Sequence, residues 1–244
     1  MGNSNFIFGI RSVIEAIRSD KTIDKLLIQK GLQGDLFKEL FELVKEHGLS
    51  HQLVPVQKLN RVTRKAHQGV IAYISPVAFY DIDEIIARTY ESGESPFFLF
   101  LDQITDVRNF GAIVRTAECA GVHAIIVPEK GAAQINADAV KTSAGALHVV
   151  PVCKVKNTMQ TIMNFKNNGI NVYAASEKAQ TTYNVPDYTT PILIVMGSEE
   201  SGISDDILRH CDQMIKIPVK GKIESLNVSV ATGIILFEAV RQRT

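Results

Sequence analysis

Apolar residues along the chain follow two spacings, a three-to-four-residue helical repeat and short unbroken runs. Ile10, Val13, Ile14 and Ile17 recur at helical intervals, and Leu36, Leu40, Leu43 and Val44 do so again before Gly48 stops the pattern. Runs at 26–28 and 70–74 predict strands beside these helices, giving a small α/β module of about 75 residues. Residues 75–96 break the pattern with Ser75-Pro76, the acidic stretch 81–84 and the turn-forming run Glu91-Ser92-Gly93-Glu94-Ser95-Pro96, leaving room for a short helix at 82–90. Downstream the alternation strengthens. Strands are predicted at 97–101, 124–127, 149–153, 171–175, 192–196 and 214–217, with helices at 111–120, 138–144, 158–167, 205–210 and 228–241. Short apolar strands separated by helices predict an α/β fold with a mostly parallel sheet covered on both faces. The expected domains are 1–75, a linker at 76–95, and 96–244.

Composition narrows the class. Apolar residues make up 45% and charged residues 21% of 244 positions, as in an ordinary globular protein. The longest apolar runs fall far short of the roughly 20 residues of a membrane span, and the first residues lack the layout of a signal peptide. Cys119, Cys153 and Cys211 are odd in number and form no CxxC pair, so neither a disulfide framework nor a zinc site is expected. These features point to a cytoplasmic protein with no metal and no membrane contact. Net charge is zero, yet residues 1–75 carry 11 Lys+Arg against 7 Asp+Glu, and the remainder carries 15 against 19. A positive excess in the first part suits phosphate contact; scattered surface charge would look the same.

There is no GxxxxGK[ST] and no GxGxxG after a strand, which argues against a P-loop NTPase and a Rossmann dinucleotide enzyme. Three polar, glycine-containing segments remain. In the first, the strand at 97–101 leads through Asp102–Gly111 into a helix carrying Arg115, so a loop amide at Asn109 and a guanidinium could share a crevice. A pairing of Arg115 with Glu118 is the plainer reading. In the second, Met196-Gly197-Ser198-Glu199-Glu200-Ser201-Gly202 ends the most apolar strand, where two glycines permit close backbone approach or a simple turn. The third runs from Ile217 and Pro218 through Gly221 to Ser225, Leu226 and Asn227 at a helix start. Free N–H groups there suit an anion or a carbonyl, and Asn227 suits an N-cap. That last helix is apolar on more than one face, which suggests burial against a second chain as well as its own sheet.

Together these segments resemble the SPOUT superfamily, specifically the SpoU (TrmH-like) RNA 2′-O-methyltransferases. The NxGxxxR motif matches Asn109, Gly111 and Arg115; MGxExxG matches Met196, Gly197, Glu199 and Gly202; and IPMxGxxxSLNVSVA matches 217–231 apart from Val219. Phe8-Gly9-Ile10-Arg11-Ser12-Val13 and His67-Gln68-Gly69-Val70 are similar to the two signatures of the ribosomal-protein-like RNA-binding domain that accompanies it. Val107, Glu200 and Arg11 depart from the usual Pro, Gly and His.

The resemblance implies a trefoil-knotted catalytic domain, a homodimer, S-adenosyl-L-methionine (AdoMet) as cofactor, and an RNA substrate, most specifically a guanosine of large-subunit rRNA. It places Met196, Gly197, Ile217, Ser225 and Leu226 at the cofactor, and Asn109, Arg115, Glu199, Ser225 and Asn227 at the reacting ribose. A guanidinium holds its proton too firmly to act as a base, so Arg115 is expected to grip phosphate and stabilise charge developing on the 2′-oxygen. Arg11, Lys21, Lys25, Arg61, Arg64 and Lys65 are expected to touch RNA phosphates. Competing readings are a tRNA ribose methyltransferase, an RNA-binding assembly factor without catalysis, and a dimeric metabolic α/β protein.

Overall fold

A computed structural model describes residues 6–223 and 225–244. The chain divides into two compact units, one reaching to Ala78 and including Ile135–Ala137, the other formed by Phe79–Gln134 and Asp138–Thr244.

In the first unit, β1 (Phe6–Phe8), β2 (Ile23–Gln29), β3 (His51–Val54) and β4 (Val70–Ile74) form a sheet in the order β1-β4-β2-β3. β4 runs antiparallel to both β1 and β2, whereas β2 and β3 are parallel. Strand alternation sorts the side chains. Leu26, Ile28, Val70 and Ala72 pack with α1 (Ile10–Arg18) and α2 (Asp35–Glu46), while Leu27 and Ile71 pack with Leu59 of α3 (Val56–Val62). Two of these strands and α3 escape the sequence patterns: β1 is three residues long, β3 exposes Leu53, and α3 buries only Leu59.

The second unit begins with α4 (Ile82–Glu91), whose N-cap Asp81 accepts from Asp83 and Glu84 backbone N–H groups. Its sheet holds β5 (Phe97–Leu101), β6 (Ala124–Pro128), β7 (Val152–Val155), β8 (Asn171–Ala175), β9 (Thr181–Thr182), β10 (Ile192–Met196) and β11 (Gln213–Lys216) in the order β7-β6-β5-β10-β8-β11-β9. Every pairing is parallel. β5 and β10, buried at all five positions, occupy its centre, as strands covered on both faces must. Phe98, Phe100, Leu193 and Val195 face a core shared with Ile85 and Ile86 of α4, Ile162 and Phe165 of α7 (Thr158–Asn167), and Ile207 of α8 (Asp205–His210). α5 (Val107–Cys119) packs against α9 (Val228–Arg243), and Arg243 of α9 stacks over Phe97, from the opposite side of β5.

Two sequence expectations shift. The strand expected at 149–153 starts only at Val152, after Pro151; a 3-10 turn at Ala146–His148 precedes it and leaves Val149 exposed. α5 starts four residues before the expected position 111, because Asp106 caps it by accepting from Asn109 N at 2.7 Å. Among the described residues, no helix is long and apolar enough to cross a membrane.

Candidate active site

The carboxyl ends of β8, β10 and β11 open into one cavity of about 330 Å³, where parallel sheets generally seat ligands. Met196 and Gly197 line it from β10, Ile217 from the end of β11, and Ser225 and Leu226 from the approach to α9. Ala231 and Ile235 of α9 add an apolar wall. Both glycine-bearing bends therefore face the same space.

The first bend is tightly made. A Cβ on Gly197 would lie 2.2 Å from the Gly202 carbonyl carbon and 2.3 Å from Ile203 N, both backbone atoms that cannot move aside. Ser198 and Gly202 exchange two backbone hydrogen bonds, of 3.1 and 2.9 Å, and Gly202 sits at φ +67°. Only glycine fits the first position, and it is favoured at the second.

Glu199, carried on this bend, reaches the start of α9. Its Oε1 accepts from Asn227 Nδ2 at 2.6 Å and from Val228 N at 3.1 Å. Asn227 Nδ2 also donates to Asn109 Oδ1 at 3.0 Å. Asn227 Oδ1 caps the helix by accepting from Ser229 N and Val230 N, at 3.0 and 3.4 Å, and also accepts from the Ser229 hydroxyl. Asn227 is thus fully occupied within the chain. Glu199 Oε2 and Asn109 Nδ2 have no partner among the described residues.

Asn109 belongs to the first turn of α5, not to a loop. Six residues along an α-helix turn the side chain by about 240° and carry it about 9 Å, so Arg115 does not share the face of Asn109. Arg115 is exposed, its guanidinium makes no hydrogen bond or ion pair among the described residues, including with Glu118, and it does not line the cavity. The structure joins Asn109, Glu199 and Asn227, puts Ser225 at the cavity, and leaves Arg115 apart.

In the first unit, Ile10 N donates to Gln68 Oε1 at 3.2 Å and Lys65 lies 5.9 Å from the Phe8 ring, so Arg11 and Lys65 belong to one end of the sheet. Arg64 adjoins Lys65, and Arg61 lies exposed on α3. Lys21 follows the far end of α1, and Lys25 pairs in register with Tyr73. The six basic residues therefore do not form one patch. His67 has a local task, accepting from Gly69 N at 3.0 Å while its other ring nitrogen meets Asn60 Oδ1 at 2.9 Å.

Sequence reasoning missed Glu177 and Lys178, which line the cavity. Their place immediately after the strand predicted at 171–175 was the available signal. It also missed Asp102, which is buried where β5 ends. No cluster of three or more metal-ligating side chains occurs among the described residues.

Fold and site define an α/β protein with a ligand-sized cavity at the carboxyl ends of a parallel sheet, accompanied by a small second α/β unit. Residues 96–237 match the SpoU rRNA Methylase family, and residues 6–80 match the RNA 2′-O ribose methyltransferase substrate binding family. The chain belongs to the SpoU rRNA Methylase family. It is 38% identical to the 23S rRNA (guanosine-2′-O-)-methyltransferase RlmB of Escherichia coli (strain K12), covering 99% of this chain and 100% of that one. The crystal structure of the SpoU methyltransferase AviRb from Streptomyces viridochromogenes, in complex with the cofactor AdoMet, matches with a TM-score of 0.63 at 26% identity, covering 98% of this chain and 90% of that one. The A. aeolicus TrmH/SpoU tRNA modifying enzyme matches with a TM-score of 0.57 at 36% identity, over 66% of this chain and 83% of that one.

Proposed function

We propose that this protein transfers a methyl group from AdoMet to a ribose 2′-hydroxyl of RNA, the substrate being a guanosine of large-subunit rRNA. The observation that carries this reading is the convergence of both glycine bends on one cavity, with the Glu199–Asn227–Asn109 chain reaching from it to α5. The cavity fits the cofactor. Met196, Ile217, Leu226 and Ile235 offer apolar surface to an adenine ring, and Glu177, Lys178 and Ser225 offer polar groups to a ribose and a charged amino-acid tail. When bound, AdoMet supplies an electrophilic methyl group.

The chain's own residues position the acceptor. Glu199 Oε2 accepts a hydrogen bond from a ribose hydroxyl, and Asn109 Nδ2 donates to a sugar or phosphate oxygen. Asn227 holds both in place, and orientation of this kind contributes up to about 7–11 kcal/mol in well-aligned reactions. Arg115, which stands outside the cavity lining of its own chain, stays protonated and grips a substrate phosphate. The proton leaves to phosphate or water.

Residues 1–75 form the RNA-recognition domain, residues 76–95 connect it, and residues 96–244 form the catalytic domain. Insertion of β10 between the earlier strands β5 and β8 supports trefoil-knotted threading. The working form is a homodimer in the cytoplasm. Val230 and Phe237, seven residues apart and so on one face of α9, are 52% and 49% exposed, which supports a second copy covering that face.

The full-length match to the rRNA enzyme, substrate-binding unit included, favours rRNA over tRNA, since the match to the tRNA modifying enzyme covers only 66% of this chain. Mapping 2′-O-methylation in rRNA and tRNA from cells lacking the gene, then restoring it with the purified protein, tests the reading. A missing methyl group on large-subunit rRNA, restored by the protein, is expected. Restoration on tRNA alone would favour the tRNA reading, and AdoMet binding without restoration on either would favour an assembly factor.

A further inference from the structure

Asp102 sits one residue beyond β5 and is only 4% exposed. Its backbone N donates to Met196 O at 2.8 Å, extending the β5–β10 ladder by one step. Its side-chain Oδ2 accepts from Ser204 N at 2.7 Å, across 102 residues of sequence. Met196 and Ser204 are the two ends of the bend that carries Gly197 and Glu199. One residue therefore holds both feet of that bend, and the Ser198–Gly202 backbone pair closes it between them.

A buried carboxylate is costly, and the bond to Ser204 N could be made by an uncharged asparagine oxygen. The charge strengthens that hydrogen bond. The Met196 end is fixed by β10 and Ile203 is buried in the core, so the Asp102 bond to Ser204 N locks the one foot that the sheet does not hold. α8, which Ser204 precedes, is six residues long, and Ser204 makes no side-chain cap for it. With the Ser204 bond lost, the closed 198–202 bend would loosen as a unit between Met196 and Ile203, shifting Glu199 relative to Asn227 and changing the cavity wall at Ser198 and Glu200.

We propose that Asp102 is a positioning residue for cofactor binding: it clamps the 197–203 bend in the shape that receives AdoMet and sets Glu199 against α9. The proposal rests on the reading of the cavity as the AdoMet site. Asp102 reaches the cofactor only through the bend, so its loss weakens AdoMet binding and leaves RNA binding by the separate N-terminal unit unchanged.

The test is calorimetric titration of the full-length protein with AdoMet, alongside an RNA-binding measurement. Variants are Asp102→Ala, Asp102→Asn, Ser204→Pro and the Asp102→Ala/Ser204→Pro pair. Ser204→Pro removes the donor N–H, and Ser204 already has the φ of −58° that proline needs. Asp102→Ala and Ser204→Pro are each expected to raise the AdoMet Kd about tenfold or more, the loss of a charge-assisted hydrogen bond. The pair is expected to add little to either single change, Asp102→Asn to recover most of the affinity, and RNA affinity to hold throughout. If the unaltered protein binds AdoMet and both single variants bind it equally well, the clamp is wrong. If Asp102→Ala loses RNA and AdoMet affinity together and Asp102→Asn recovers neither, the residue is only a general support and the proposal fails. If Asp102→Ala does not fold, Ser204→Pro and Asp102→Asn decide by the same criteria. If the unaltered protein binds no AdoMet, the cofactor reading falls first and the clamp falls with it.

Discussion

Asn227 Nδ2 lies 2.6 Å from Glu199 Oε1 and 3.0 Å from Asn109 Oδ1, while Asn227 Oδ1 caps α9. The two jobs belong to different atoms of one amide, so they can be separated. Aspartate is as good an N-cap as asparagine, but it would set a second carboxylate against Glu199 where the amide donor stood. Asn227→Asp is expected to keep the cap, to lower the melting temperature only through its contact with Glu199, and to lower turnover by about 100-fold through misplaced groups. Asn227→Ala should cost about 1 kcal/mol of stability as well. Thermal melts and single-turnover methylation measure the two effects; normal methylation by Asn227→Asp would refute the orienting role.

Arg115 stands outside the cavity lining and has no partner among the described residues. Lysine keeps its charge but not the planar fork that grips a phosphate by two hydrogen bonds. Arg115→Lys is expected to leave AdoMet affinity unchanged and to reduce turnover about tenfold or more with RNA still bound. Retention of most turnover would count against a bidentate contact, and a weakened AdoMet affinity would mean that Arg115 reaches the cofactor.

What the sequence revealed follows from how continuous each signal is. β5 and β10 are unbroken apolar runs because both their faces are buried, and so they were legible at sight. β3, with Leu53 exposed, and α3, burying one residue, have no periodicity to detect. At the site, the glycine bends stand out because close backbone approach at Gly197 admits no side chain. Asn109 reads as a loop amide in the sequence because the apolar pattern begins only near Gly111; capping by Asp106 starts the helix at Val107 and turns Asn109 toward α9 and Arg115 elsewhere. Asp102 and Ser204 could not be joined from spacing, since their bond depends on sheet order.

The exposed face of α9 bears on assembly. Val230 and Phe237 are large, apolar and roughly half exposed on a helix whose other side is already packed on α5. Val230→Asp and Phe237→Asp would place a charge in the proposed dimer contact, where desolvation is costly. Sedimentation equilibrium is expected to show a dimer for the unaltered chain and a shift toward monomer for each variant. An unaltered chain that sediments as a monomer, or variants that remain dimeric, would remove α9 from the interface.

Glu238 gives α9 a dependence on pH. Hydrogen bonds from Arg241, and then from Gln242, hold its carboxyl at about 2, below the ordinary 4.5. A depressed carboxyl contributes its full stabilisation above the unfolded value and loses it as protons bind the native state. Stability is therefore expected to fall as pH drops from 4.5 towards about 2. Urea unfolding across that window should show a shallower fall for Glu238→Gln. Equal slopes for the two proteins would show that other groups set the acid limit.

Arg243, at the opposite end of α9 from Asn227, donates to four carbonyls. Its Nε meets Tyr188 O at 2.7 Å, Nη1 meets Ser95 O at 2.8 Å, and Nη2 meets Pro96 O and Thr190 O at 3.0 and 2.9 Å. The guanidinium also stacks 4.7 Å from the centre of the Phe97 ring. These partners lie at or just before the starts of β5 and β10, so Arg243 ties the last turn of α9 to the central strands whose far ends build the cavity. No lysine can satisfy four divergent acceptors from one nitrogen while stacking as a plane. Arg243→Lys is expected to cost about 3 kcal/mol, because carbonyls partly shielded from water lose their donors, and Arg243→Ala at least as much. Denaturant unfolding measures the loss, and AdoMet titration below the melting range shows whether it reaches the site. Since α9 is fixed separately at its first turn by Asn227 and Glu199, AdoMet affinity should hold while stability falls. Coupled loss of both would mean that α9 moves as one rigid rod between the two anchors.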